Sequence, residues 1–191
     1  LTINQPRAEW DDLSPADRAV KLNRAGGPAI GCTMAVDEHG EVLARGNMVM
    51  DGYWAQPEAT ADAIRDGWFH TGDIAEIDDD GFVFIVDRAK DMVLRGGENV
   101  YCSEVEAGVY QHPDVAEAAV FGVPDDRLGE IVGVAIVRAP GSTLDADGLR
   151  EFLADKMAKF KIPERIWFLD ESLPRNASGK FLKRELRDSL I

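Results

Sequence analysis

Two apolar runs, VAEAAVFGV at 115–123 and IVGVAIVRA at 131–139, flank the polar stretch PDDRLGE. Both read as strong strands, and any fold of this chain has to bury them in a core. The segments around them change period. SEVEAGVYQH opens with Ser-x-x-Glu, which predicts a capping box from Ser103 to Glu106 and a helix with Val105 and Val109 on one face. LDADGLREFLADKM places Leu149, Phe152, Leu153 and Met157 on one helical stripe. MVLRGGENV before these runs reads as a strand ending in a Gly-Gly corner, and ERIWFLD and KRELRDSL after them read as a strand and a short helix. From residue 91 the predicted order is therefore strand, helix, strand, strand, helix, strand, helix. That order specifies an α+β domain, a small mixed sheet with covering helices.

The first half reads differently. Residues 1–27 are polar and irregular, with a short helix in SPADRAVKLNRAGG. AIGCTMAV and EVLARG form a predicted hairpin across DEHG, and GNMVMDGYW is expected to continue that sheet. PEATADAIRDG predicts a short helix, with Pro57 in its first turn and Gly67 after its end. DIAEID and FVFIVD flank an Asp/Gly turn, a second hairpin signal. The expected domains are a β-rich 28–87 and an α+β 88–191, with a hinge at 87–91 in DRAKD.

Composition narrows the classes of function. No apolar run reaches the roughly 20 residues of a membrane span. The N-terminus lacks the cationic and apolar regions of a signal peptide, and it does not begin with Met, so a piece of something longer is expected. Cys32 and Cys102 form no CxxC motif, and His39, His70 and His112 are scattered. Two thiols of a reducing cytosol, a cytoplasmic location and no metal site are the expectations. The net charge of −14 argues against nucleic acid as partner. Residues 155–191, by contrast, carry nine Lys/Arg against six Asp/Glu. A basic tail on an acidic body could serve an anionic small molecule, but charge alone favours an ordinary mixed surface.

Three short stretches hold candidate chemistry. SGK at 178–180 lacks the first Gly and the final Ser/Thr of a Walker loop, since Pro174 and Phe181 stand there. What remains is Lys180 on a Pro, Asn, Ser and Gly loop that can approach a ligand closely. Asp73, in WFHTGD, follows a Thr-Gly corner, where a carboxylate either caps the turn or accepts from two vicinal hydroxyls. In VDRAKDMVLRGGENVYCSEVE, Arg88 and Lys90 lie at the seam, and Gly96 and Gly97 leave room for a thin ligand against the backbone.

Each stretch alone is weak, but their order is specific. GWFHTGD, then DRAKDMVLRGGENVYCSEVE, then LPRNASGK resemble three successive core motifs of the adenylate-forming superfamily, which includes the acyl-CoA synthetases. HPDVAEAAVFGVPDDRLGE and KFKIPERIWFLDE resemble the small C-terminal domain of those synthetases, and DEHGEVLARGNMVMDGYW resembles the last barrel strands of their large N-terminal domain. The resemblance covers about residues 28–191. It implies a two-step acid–CoA ligase using ATP, Mg²⁺ and CoA, with a fatty acid as the first expectation for the substrate and an aryl acid as the second. It also implies roles. Lys180 would be the lysine of the adenylation step and Lys90 the hinge residue. Asp73, Arg88 and Asn99 would face the nucleotide. Gly96 and Gly97 would line the pantetheine passage, with Lys161 near the CoA nucleotide.

The chain also departs from the superfamily's pattern. It has no Ser/Thr/Gly-rich phosphate loop ending in Lys and no Tyr-Gly-x-Thr-Glu stretch. The Mg²⁺ ligands and the acyl pocket are expected outside it, so a C-terminal fragment inactive alone is the expectation. Its β-rich part, short of barrel partners, would self-associate. A non-catalytic C-terminal module and a carrier-loading adenylation domain are the alternatives.

Overall fold

The computed structural model describes residues 1–191, which divide into unit 1, Leu1–Lys90, and unit 2, Asp91–Ile191. In unit 1, β1 (Thr2–Ile3) is followed by α1 (Pro15–Leu22) and β2 (Gly27–Pro28), and β1 pairs with β2. Ser14 caps α1 by accepting from the Asp17 N–H, with Pro15 at the first helical position. β3 (Cys32–Val36) and β4 (Glu41–Gly46) form the first predicted hairpin. α2 (Pro57–Ala63), β5 (Ile64–Arg65), β6 (Trp68–Ile77) and β7 (Val83–Arg88) follow. The sheet order is β3-β4-β6-β5, with β7 also on β6.

Two details differ from expectation. GNMVMDGYW forms no strand: the chain leaves the sheet at Gly46 and runs through turns to α2. Gly67 does not end a helix but sits with Asp66 in the two-residue turn between β5 and β6, both with positive φ (76° and 51°). That is the backbone a twisted hairpin needs and that Asp-Gly supplies.

Unit 1 buries a small core of Val42, Ala75 and Val83, with Ala25 and Met34 against it. Asp78 closes the β6–β7 turn. Its carboxylate accepts from the N–H groups of Phe82 and Asp80, and Arg24 lies 2.6 Å away. These donors, Phe82 foremost, hold its carboxyl below the ordinary range against the opposing effect of burial.

In unit 2 the elements are β8 (Val93–Arg95), β9 (Glu98–Val100), α3 (Cys102–Val109), β10 (Val115–Asp125), β11 (Gly129–Arg138), α4 (Ala146–Ala154), β12 (Arg165–Leu169) and α5 (Lys183–Leu190). The two apolar runs are β10 and β11, paired antiparallel from Val115↔Arg138 to Asp125↔Gly129. Since β10 occupies one edge of β11 throughout, the other edge is left to β12, parallel along Gly133–Val137, and to β8 at Gly129. A parallel partner needs a crossover, which the segment carrying α4 provides.

Side chains alternate across a strand, and both faces of this pair are covered. Ala118, Val120, Val132, Val134 and Ile136 pack with Val105 and Val109 of α3 and Leu149 and Leu153 of α4. Ala119, Phe121, Val123, Ile131 and Ala135 pack with Leu186 of α5 and with Leu173 of the segment before it. This is why the two runs are apolar throughout rather than alternating with polar residues.

The predicted capping box is not formed at Ser103. The helix starts two residues earlier, with Tyr101 at the N-cap position, and the Glu106 carboxylate accepts from the Val120 N–H and pairs with Lys183. Of the predicted stripe on α4, Leu149 and Leu153 are fully buried and Phe152 is partly so, while Met157 lies beyond the helix end.

Gly133 marks the tightest point of the second face. A Cβ there would lie 2.5 Å from Val123 Cγ2 and 3.0 Å from Trp167, whose ring stacks on Phe121 at 5.6 Å. Gly133→Ala is therefore expected to destabilise unit 2 by about 1–3 kcal/mol through overpacking. Urea unfolding measures this, and an unchanged midpoint would contradict the packing.

Candidate functional site

The predicted site residues fall into separate groups, described unit by unit. In unit 1, Asp73 on β6 and Arg88 on β7 are cross-strand partners, and Arg88 Nε lies 3.2 Å from Asp73 Oδ1. The sequence left open whether Asp73 merely caps its turn. The corner is held by other groups: Thr71 Oγ1 donates to the Val42 carbonyl and accepts from the Asp73 N–H, and Gly72, at φ +71°, donates to Glu41 Oε1. The Asp73 carboxylate is thereby left for Arg88 and for solvent, one third exposed. Glu41 was not singled out from the sequence, because it lies 31 residues from the backbone it supports.

Glu41, Asp37 and His70 bring their ligand-type atoms within 4.8 Å of one another. The resemblance implies Mg²⁺, and these three residues are metal-ligand types. The cluster does not fit the ion. Glu41 is engaged with the Gly72 N–H and His70, Asp37 Oδ1 accepts from the His39 and Glu41 N–H groups, and Arg65 Nη2 lies 2.7 Å from His70 Nδ1. A guanidinium at that distance opposes a second cation. The cluster supports the Thr-Gly-Asp corner.

Lys90 is exposed in the single 3₁₀ turn Ala89–Asp91, where unit 1 ends. Immediately after it, the Asp91 carbonyl accepts from Cys102 Sγ at 2.7 Å, tying the start of unit 2 to α3.

In unit 2, Gly96 and Gly97 form the two-residue turn between β8 and β9, with φ of 59° and 91°. The sequence anticipated a corner. The structure shows a hairpin that returns, and its left-handed turn explains both glycines. The Gly96 N–H donates to the Leu128 carbonyl, the Leu94 N–H to Glu130, and Arg95 reaches Glu164 at 2.5 Å. Nothing lies within 4 Å of the position a Cβ on Gly97 would take. Asn99 is exposed on β9 of the same hairpin, opposite Leu94. Lys161 is not free: its ammonium lies 2.7 Å from both carboxylate oxygens of Glu104. Lys180 is exposed at the head of a turn and makes no ion pair. Its N–H is held by the side chain of Asn176, 2.9 Å away, and its carbonyl by the Asn176 N–H. The loop is internally hydrogen-bonded.

An α+β unit with an exposed lysine on a bonded turn, preceded in the sequence by a strand pair carrying Asp and Arg, has counterparts in known proteins. Residues 104–180 match the AMP-binding enzyme C-terminal domain family. The chain is 45% identical to a 2-succinylbenzoate–CoA ligase of Geobacillus kaustophilus (strain HTA426), over 92% of this chain and 37% of that protein. It is 48% identical to a feruloyl-CoA synthase of an Amycolatopsis species, over 86% of this chain and 33% of that one. Among solved structures, o-succinylbenzoate CoA synthetase from Bacillus subtilis, in complex with its acyl-adenylate intermediate, superposes with a TM-score of 0.77 at 35% identity, over 92% of this chain and 38% of that one. The chain belongs to the adenylate-forming superfamily and matches its C-terminal portion. It spans about a third of the length of the curated relatives it matches. No helix is long and apolar enough to cross a membrane.

The Asp73–Arg88 pair is solvent-facing, with the Arg88 side chain 53% exposed. Such pairs contribute about 0–1 kcal/mol. Arg88→Ala should therefore leave the thermal midpoint of the chain nearly unchanged, as followed by calorimetry. A loss of several kcal/mol would show that the pair is a structural pin rather than a group held ready for a ligand.

Proposed function

We propose that this chain is the C-terminal portion of an ATP-dependent acid–CoA ligase. One observation carries the reading: Lys180 ends the matched domain as an exposed cation that no carboxylate neutralises, on a turn that fixes its backbone. In the first half-reaction a carboxylate oxygen attacks the α-phosphorus of ATP. A P–O bond forms, the bond to the β-phosphate oxygen breaks, and pyrophosphate leaves. Negative charge builds on the phosphoryl oxygens, and an ammonium aimed there stabilises the transition state. We assign that role to Lys180. In the second half-reaction the CoA sulfur attacks the acyl carbon, its proton passes to solvent, and AMP departs with the electrons of the broken C–O bond. A lysine needed only in the first step, on a unit that begins just after an exposed Lys90, suits a hinge that exchanges the two arrangements.

The other assignments rest on the resemblance of the sequence motifs. Asp73, held open beside Arg88, accepts from ribose hydroxyls, and Arg88 orients it. Asn99 faces the adenylate from the hairpin whose turn, Gly96–Gly97, lets pantetheine pass close to backbone. Lys161 meets the CoA nucleotide by exchanging Glu104 for phosphate. The relatives named above carry aromatic acids in their names, so an aryl acid stands beside the fatty acid expected from sequence. Mg²⁺ is assigned to the part of the superfamily's sequence that this chain does not match.

In the protein carrying this chain at full length, Lys180→Ala is expected to lower ATP–pyrophosphate exchange by about 10²–10³-fold. Thioester formation from supplied acyl-adenylate should stay within a few-fold. Equal loss of both half-reactions, or no exchange by the parent with any fatty or aryl acid, would overturn the reading.

Unit 1 leaves Ile30 and Trp54 each 95% exposed, along with Met48, Phe84 and Ile85. Large apolar side chains left this exposed gain free energy when association covers them. The 191-residue chain alone is expected to self-associate as its concentration rises. Sedimentation showing only monomer at 100-fold dilution and at working concentration alike would contradict this.

A further inference from the structure

The turn that bears Lys180 is fastened at both ends to β10. At its entrance, Glu117 of β10 accepts from the Leu173 N–H at 2.7 Å and from Arg175 Nη2 at 3.0 Å. At its exit, Lys183 pairs at 2.7 Å with Glu106, whose carboxylate also accepts from the Val120 N–H of β10. Between these anchors the turn closes on itself. Arg175 and Phe181 bridge, the Leu182 N–H donates to the Pro174 carbonyl at 2.8 Å, and the Gly179 N–H donates to the Asn176 carbonyl at 2.9 Å.

Arg175 occupies a particular place in this arrangement. One guanidinium nitrogen is held by Glu117. The other, Nη1, donates to the Gly179 carbonyl at 2.9 Å. Its face lies 4.0 Å from the Phe181 ring centroid. It therefore grips the residue before Lys180 and the residue after it, while Glu117 fixes the fork. Only a planar guanidinium can make these contacts together. Burial disfavours the Glu117 charge, but the Leu173 N–H and Arg175 outweigh it and hold the carboxyl below the ordinary value, so the fork faces a full negative charge.

We propose that Arg175, oriented by Glu117, is the positioning residue of Lys180: it sets the backbone from which the lysine reaches the reacting phosphate. This rests on the assignment of Lys180 to adenylation. A lysine stem has four rotatable carbons, so the ammonium finds its target only if its root is fixed. A misplacement of about 1 Å can cost about 10²-fold in rate. Arg175 touches neither substrate nor product in this scheme, and its effect passes through Lys180 alone.

The test uses the full-length protein with Arg175→Ala, Arg175→Lys and Glu117→Gln, each alone and combined with Lys180→Ala. Both half-reactions are followed separately. Arg175→Ala is expected to lower kcat for ATP–pyrophosphate exchange by about tenfold or more, within the range misplacement produces. Thioester formation from supplied acyl-adenylate should be unchanged, which also shows that the variant folds. Arg175→Lys should remain impaired, because it keeps the charge and loses the fork. Glu117→Gln, which keeps an oxygen for the Leu173 N–H, should fall between. In the Lys180→Ala background, Arg175→Ala should add no further loss. The proposal is overturned if Lys180→Ala cripples exchange while Arg175→Ala does not, if Arg175→Lys restores full activity, or if the two losses multiply. Exchange that survives Lys180→Ala would overturn the lysine assignment itself, and the proposal with it.

Discussion

The antiparallel pairing of β10 with β11 is the constraint on which unit 2 depends. Its two faces are both apolar, so it needs a layer on each side, and α3 with α4 on one face and α5 on the other provide them. Once β10 takes one edge of β11, β12 and the β8–β9 hairpin are confined to the other. The position of the glycine turn and of the lysine turn thus follows from one strand pair. Fully burying a Leu or Val contributes about 1.5–3 kcal/mol, and Val105, Val109, Leu149 and Leu153 are all fully buried on one face. Weakly held surface groups can be carried on such a base.

Charge is distributed with the same economy. Lys161 and Lys183 each face a glutamate at 2.7 Å. Lys183 is largely buried, which opposes its charge, but Glu106 outweighs that and raises its affinity for the proton. Its bond is structural. Lys180, three residues earlier, has no such partner. A cation left uncommitted on a fixed turn has anions as its natural ligands.

Much of this was legible in the sequence where the signal is local. The apolar runs, the helical stripe on α4 and the β6–β7 hairpin depend on period and turn residues within one segment. What was missed involves partners far apart. Ser103-x-x-Glu106 has the spacing of a capping box, but the Val120 N–H, 14 residues on, and Lys183 recruit Glu106 instead. Glu104 facing Lys161 spans 57 residues, and Glu117 facing Arg175 spans 58. One signal was available: Glu117 is a charge inside VAEAAVFGV, and a carboxylate within a core strand implies a partner. GNMVMDGYW reads as a strand because Met48, Val49 and Met50 make a short continuous apolar run, while Met48 and Trp54 end up exposed.

Lys180 stands on a turn fastened to the sheet through Glu117 of β10 and through Glu106. Amide hydrogen exchange on the whole chain, read at Asn176, Gly179, Lys180 and Leu182, tests this fastening most directly. The hydrogen bonds of these four N–H groups predict exchange at least about tenfold slower than in an unstructured chain. Exchange at the unstructured rate would show that the turn opens freely, and that the fold does not hold the lysine in place.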